Sequence, residues 1–107
     1  MATDVLVGES RRFRARFRDG IGGEVLPNLI EPARVWVSDE GKLELTQIAA
    51  NGLSGEVKVI EEGDAHIQIV ARADHGGRIL TLTFLTEIHG ISSLTGTIDL
   101  MPAGGPP

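Results

Sequence analysis

The sequence predicts an all-β protein, an antiparallel β-sandwich of about seven to eight strands, on three observations. Apolar residues recur at every second position in one segment after another. No segment carries an apolar stripe at the helical period. Gly, Asn and Asp turn signals punctuate the chain at intervals of roughly 8–12 residues, the rhythm of an antiparallel two-sheet fold, which ranks it ahead of a small closed barrel. The chain has 107 residues, 41% of them hydrophobic and 23% charged, enough for one domain and not for two. Residues 1–100 are taken as that domain and 101–107, Met-Pro-Ala-Gly-Gly-Pro-Pro, as a Pro/Gly tail that fits neither helix nor central strand.

Residues 12–18, Arg-Phe-Arg-Ala-Arg-Phe-Arg, are the clearest strand. Phe13, Ala15 and Phe17 fall on one face and Arg12, Arg14, Arg16 and Arg18 on the other, a separation that a helix would destroy. Asp19-Gly20 opens a Gly-rich turn through Gly23, and Pro27 and Pro32 bracket an irregular connection. A short strand is predicted over 33–38 around Trp36, then one in which Leu43 and Leu45 alternate with Glu44 and Thr46. Asn51-Gly52 is the strongest turn signal and leads into a strand over 54–60. Beyond the charged turn Glu61-Glu62-Gly63-Asp64, the strand 65–73 turns Ala65, Ile67, Ile69, Ala71 and Ala73 to one side. Asp74-His75-Gly76-Gly77 reads as a hairpin loop returning into 79–89, with Leu80, Leu82, Phe84 and Ile88 inward and Gly90 closing the strand. A last strand is expected within 91–100, completing this sheet or adding to a neighbour's edge.

Charge is distributed unevenly. The net charge is -5, yet residues 1–18 hold five arginines against Asp4 and Glu9, a local +3 set against -8 in the remainder. The overall sign argues against nucleic acid as a partner. Successive arginines of the stripe stand about 6.7 Å apart, close to the step between phosphates, so the stripe also suits a polyanion or an acidic protein surface. The simpler reading is cross-strand pairing with Glu44 and Glu56 and protection of a sheet edge. Val70, Ile79 and Leu85 break the polar rule on outward positions of paired strands, the pattern of a subunit contact. A register bulge, or cover by residues 91–100, would explain them as well.

The residues that commonly carry chemistry are scattered. With no Cys, a disulfide framework, a thiolate zinc site and a thiol nucleophile are excluded. His66, His75 and His89 lack metal-ligand spacing, and the acidic turns at 39–40 and 61–64 lack the alternating acidic pattern of a calcium loop. No Gly-x-Ser-x-Gly elbow frames a serine. No catalytic residue, cofactor or metal site is therefore assigned. The four aromatic residues, Phe13, Phe17, Trp36 and Phe84, are all expected in the core, which leaves little for a sugar-stacking surface. The first residues show neither a basic leader nor a long apolar run, and no span of transmembrane length occurs, so synthesis in the cytoplasm and no membrane partner are expected.

Three segments in order resemble a known family: Arg-Val-Trp-Val-Ser-Asp (34–39), Ala-Asn-Gly-Leu-Ser-Gly-Glu-Val (50–57) and Gly-Asp-Ala-His-Ile-Gln-Ile-Val-Ala-Arg-Ala-Asp (63–74). They resemble the group 2 bacterial immunoglobulin-like domains, in particular the small single-domain type encoded by phages and prophages. Phe17-Arg18-Asp19-Gly20 and the tail at 101–107 fit that layout. Val37-Ser38-Asp39-Glu40 departs from it, standing where the family usually has Ser-Ser-Asp-Pro. The resemblance implies an immunoglobulin-like antiparallel β-sandwich serving as a non-catalytic structural or binding module of a virion, decorating a capsid, tail or fibre, made in the host cytoplasm and carried on the particle surface. Its partners would be protein neighbours in that particle, other copies of the chain among them. The alternative is an adhesion module for a host-cell glycan or surface protein. The contacts expected are Arg12, Arg14, Arg16 and Arg18 toward an acidic neighbour and Val70, Ile79 and Leu85 toward another subunit.

Overall fold

The structure is a computed structural model that describes residues 2–92 and 96–104. Over these residues it is all-β, with nine strands in two packed sheets and a small hairpin. The strands are β1 (Thr3–Leu6), β2 (Ser10–Arg14), β3 (Phe17–Arg18), β4 (Glu24–Val25), β5 (Arg34–Val37), β6 (Leu43–Thr46), β7 (Ser54–Val59), β8 (Gly63–His75) and β9 (Arg78–Ile91). One sheet has the order β1-β9-β8-β5, the other β2-β7-β6, and β3 pairs with β4 alone.

Period-two burial builds the core as the alternation requires. Ala65, Ile67, Ile69, Ala71 and Ala73 of β8 are all buried, and the first four share one core cluster with Val57 and Val59 of β7 and Leu43 of β6. Each Val or Ile so enclosed contributes roughly 1.5–3 kcal/mol of burial free energy. Phe17 packs edge-on against Phe84 with ring centroids 5.2 Å apart, and Phe13 and Ala15 lean on the same cluster.

The local turns follow their residues. Asp19 Oδ1 accepts the N–H groups of Ile21 and Gly23 and closes the β3–β4 turn. Asn51 Oδ1 accepts the Leu53 N–H, and Gly52 at φ 75° lets the chain pass the Ala33 carbonyl, where a Cβ would lie 2.1 Å from the oxygen. The β8–β9 hairpin closes through Gly76-Gly77, with Asp74 Oδ1 accepting the Gly77 N–H. Between the two prolines, residues 28–30 run beside the far end of β8, where Asp74 N–H donates to Asn28 and Ile30 N–H to Arg72.

Four expectations are corrected. The strand over 12–18 is interrupted at Ala15-Arg16 and divides into β2 and β3, although its two faces keep their parity. Pairing is not wholly antiparallel, because β1 runs parallel to β9 with Val5 buried opposite Gly90. Gly90 does not end its strand: β9 continues to Ile91, and the missing side chain lets Val59 and the Glu61 carbonyl close over the backbone, where a Cβ would meet them at 2.8 and 2.9 Å. Of the strand expected within 91–100, residue 91 belongs to β9 and 96–100 form none, while 93–95 lie outside the described residues.

Candidate functional site

The outer face of the four-stranded sheet is set by the pairing of β5, β8 and β9. Arg34 and Trp36 stand opposite Val70 and Gln68, which in turn stand opposite Thr83 and Leu85. Trp36, Gln68 and Leu85 therefore form one row across three strands, with side chains about 5 Å from neighbour to neighbour. Trp36 is 40% exposed and Leu85 54% exposed. Val70 lies on the diagonal from both, about 7–8 Å away. Arg34 and Thr83 border this apolar centre on one side, His66 and Glu87 on the other, so a hydrophobic middle has a polar margin, the layout of a docking surface.

Trp36 thus corrects the expectation that every aromatic side chain lies in the core. The residue sits on a strand whose Val35 and Val37 pack against the core, and it shares its parity with Arg34 and Ser38. The alternation rule itself places the ring outside. The expectation that aromatic rings seek the interior overrode that rule. Of the three outward aliphatics singled out from sequence, the structure brings Val70 and Leu85 together and leaves Ile79 apart. Ile79 is 47% exposed opposite Asp74, four residues along β9 from the Val70 row and so about 13–14 Å from it. Residues 96–100 are exposed and cover none of this face.

Arg12, Arg14, Arg16 and Arg18 are all exposed. Arg12 lies opposite Glu56 on β7, with Nε 3.5 Å from Oε1, and Arg14 reaches Glu24 at 3.9 Å. Arg18 donates to the Gly22 carbonyl at 3.2 Å. Arg16 has no carboxylate within 4.0 Å among the described residues. Glu56 is the cross-strand partner expected from sequence. Glu44 is not, since it stands opposite Lys58. Exposed pairs at these distances contribute between nothing and about 1 kcal/mol, so the stripe keeps most of its charge available to a partner.

Beside β2 is a feature that the sequence did not reveal. The sandwich gapes between the free side of β2 and the portion of β9 that β1 does not reach, leaving a cleft of about 190 Å³. Phe13, Ala15, Ile67, Ile69 and Phe84 line it, together with the exposed residues Arg14, Arg16, Leu85 and Thr86. On the opposite side of the sandwich a second groove runs between β5 and β6, where Trp36 is joined by Glu40 and Glu44. Neither was legible, because a groove of this kind exists only once the edge strands are known.

The remaining candidates serve local structure. Asp39 Oδ1 accepts the Gly41 N–H within its own turn, and Glu62 accepts from the Ser92 hydroxyl. His89 Nδ1 is 2.6 Å from Asp64 Oδ1 across β8 and β9, and His66 uses its backbone N–H to reach Ser38 Oγ. No group of three or more His, Cys, Asp or Glu side chains among the described residues is placed to hold a metal ion. No helix of the described residues is long and apolar enough to cross a membrane. Comparison of the chain with family models, with curated proteins and with solved structures gave no match.

Proposed function

We propose that this protein is a non-catalytic binding module that docks on a protein neighbour through the outer face of its four-stranded sheet. The observation that carries this reading is the row Trp36, Gln68 and Leu85, an exposed indole in register with an exposed leucine on a rigid sheet. Tryptophan held in this way is a typical centre of interface energy, and its polar margin supplies register and selectivity. Arg12 and Arg14 on the other sheet, with Arg16 and Arg18 following them in the chain, offer a separate basic surface to an acidic neighbour.

The strand order supports an immunoglobulin-like assignment. A three-stranded sheet β2-β7-β6 faces β9-β8-β5, and the first strand lies along the last, as in sandwiches of that class. Together with the resemblance of segments 34–39, 50–57 and 63–74 to phage-encoded domains, it favours a place in a virion as a capsid, tail or fibre component. Synthesis in the host cytoplasm would then precede assembly on the particle.

Co-expression with proteins encoded by adjacent genes tests the docking face. Trp36→Ala and Leu85→Asp should each weaken co-purification by about tenfold or more, the loss of one central contact, while the circular dichroism spectrum stays unchanged. Co-purification that both variants leave intact would overturn the reading. A second reading, adhesion to a surface glycan, gains from the groove that Trp36 lines together with Glu40 and Glu44, an aromatic residue beside acceptors for sugar hydroxyls. Saturable polysaccharide binding that falls in both Trp36→Ala and Glu44→Ala would decide for it.

A further inference from the structure

We infer that the free side of β2 is an acceptor for residues 97–101 of a second copy of this chain, which add to it as a β-strand. This goes beyond the docking face around Trp36 and does not depend on it. Backbone hydrogen bonding makes the acceptor. Val59 N–H donates to Glu9 and Ala15 N–H to Leu53, so the odd-numbered residues of this stretch face β7. In an antiparallel ladder the intervening residues, Ser10, Arg12 and Arg14, turn their N–H and C=O groups to the opposite side. No strand of the described residues lies there. An edge of this kind is a template for another chain.

The donor is legible in the same way. Ile98 and Leu100 are 91% and 94% exposed and touch no core, in a segment without secondary structure of its own. Gly96 and Pro102 bound five residues, Thr-Ile-Asp-Leu-Met, which match the five of β2 in length. Alternation does the rest. With Ile98 and Leu100 turned into the cleft toward Phe13, Ala15 and Phe84, Asp99 emerges on the face of Arg12, Arg14 and Arg16, where its charge is complementary. Arg16, which pairs with no carboxylate among the described residues, lines that cleft. Each copy carries one donor and one acceptor, so association closes into a symmetric pair or ring, or runs on as a chain.

Light scattering of the 107-residue chain over a concentration series tests this. A mass above the monomer is expected, and the Ile98→Asp/Leu100→Asp double variant should weaken association by about tenfold or more. Arg14→Pro removes an edge-directed N–H and should do the same without touching the β2–β7 ladder. Mixing the two variants restores one intact donor and one intact acceptor and should give a one-to-one pair, whereas Trp36→Ala should change nothing. Because the double variant alters only exposed side chains, the test stands even where Arg14→Pro fails to fold. A strict monomer at every concentration, or association that the double variant leaves intact, would overturn the inference. So would a monomer in which the Arg12 and Arg14 amides are protected from hydrogen exchange by their own residues 97–101.

Discussion

Arg34, Val35, Trp36 and Val37 show how one residue's parity decides what a surface can do. Two valines satisfy the core, and the indole is left outside as the centre of the outer face. Removing it should therefore cost little stability. Trp36→Ala is expected to shift the free energy of urea unfolding by less than about 1 kcal/mol, whereas Val57→Ala, at 1% exposure, should cost about 2 kcal/mol. A Trp36→Ala loss as large as that of Val57→Ala would return the ring to the interior. Gly52 is the opposite kind of position, fixed by its backbone. At φ 75°, with the Ala33 carbonyl oxygen 2.1 Å from where a Cβ would stand, Gly52→Ala should destabilise by about 3 kcal/mol in the same measurement. The Asn51-Gly52 turn was legible because its chemistry is local. The exposure of Trp36 was equally legible from alternation, and it was hidden only by the expectation that a lone tryptophan lies between the sheets.

Among the elements, the arginine strand was read correctly in its two faces and incorrectly in its continuity. Phe13, Ala15 and Phe17 do face the core, but the chain leaves β7 after Arg14 and joins the small β3–β4 pair instead. Continuity depends on which strand is available as a partner, and residues 12–18 carry no record of that. The parallel pairing of β1 with β9 joins the two most distant parts of the domain, so no turn signal announces it. Gly90 misled for a related reason: a glycine that ends a strand and one over which another strand closes look alike in sequence. The arginine stripe has a structural explanation in its Arg12–Glu56 pair, and a double-mutant cycle with Arg12→Ala and Glu56→Ala measures how far that goes. With Arg12 91% exposed in its side chain, the coupling should be below about 1 kcal/mol. A coupling of several kcal/mol would make the stripe a fold-stabilising device and not a contact surface. At the hairpin, Asp74→Ala removes the acceptor of the Gly77 N–H and should cost about 1 kcal/mol in thermal or urea unfolding.

At the scale of the whole molecule, the all-β class was legible because a period of two is written residue by residue. The candidate site was only partly legible, because it is made of edges and faces that appear once strands are ordered into sheets. The chain is elongated, with a radius of gyration of 19.7 Å against the roughly 13 Å of a compact domain this size. Its two longest strands, β8 and β9, run 13 and 14 residues, and residues 96–104 after them form no strand. The result is a large surface for a small core, and it offers three distinct places for a neighbour: the face around Trp36, the arginine stripe and the free side of β2. Trp36 is the only tryptophan in the chain, so its fluorescence reports on the face without interference. In the free protein its emission should resemble that of indole in water and be readily quenched by acrylamide, and a bound protein neighbour should shift it to the blue and shield it. Blue, unquenched emission from the free protein, unchanged by a neighbour that binds, would contradict the reading.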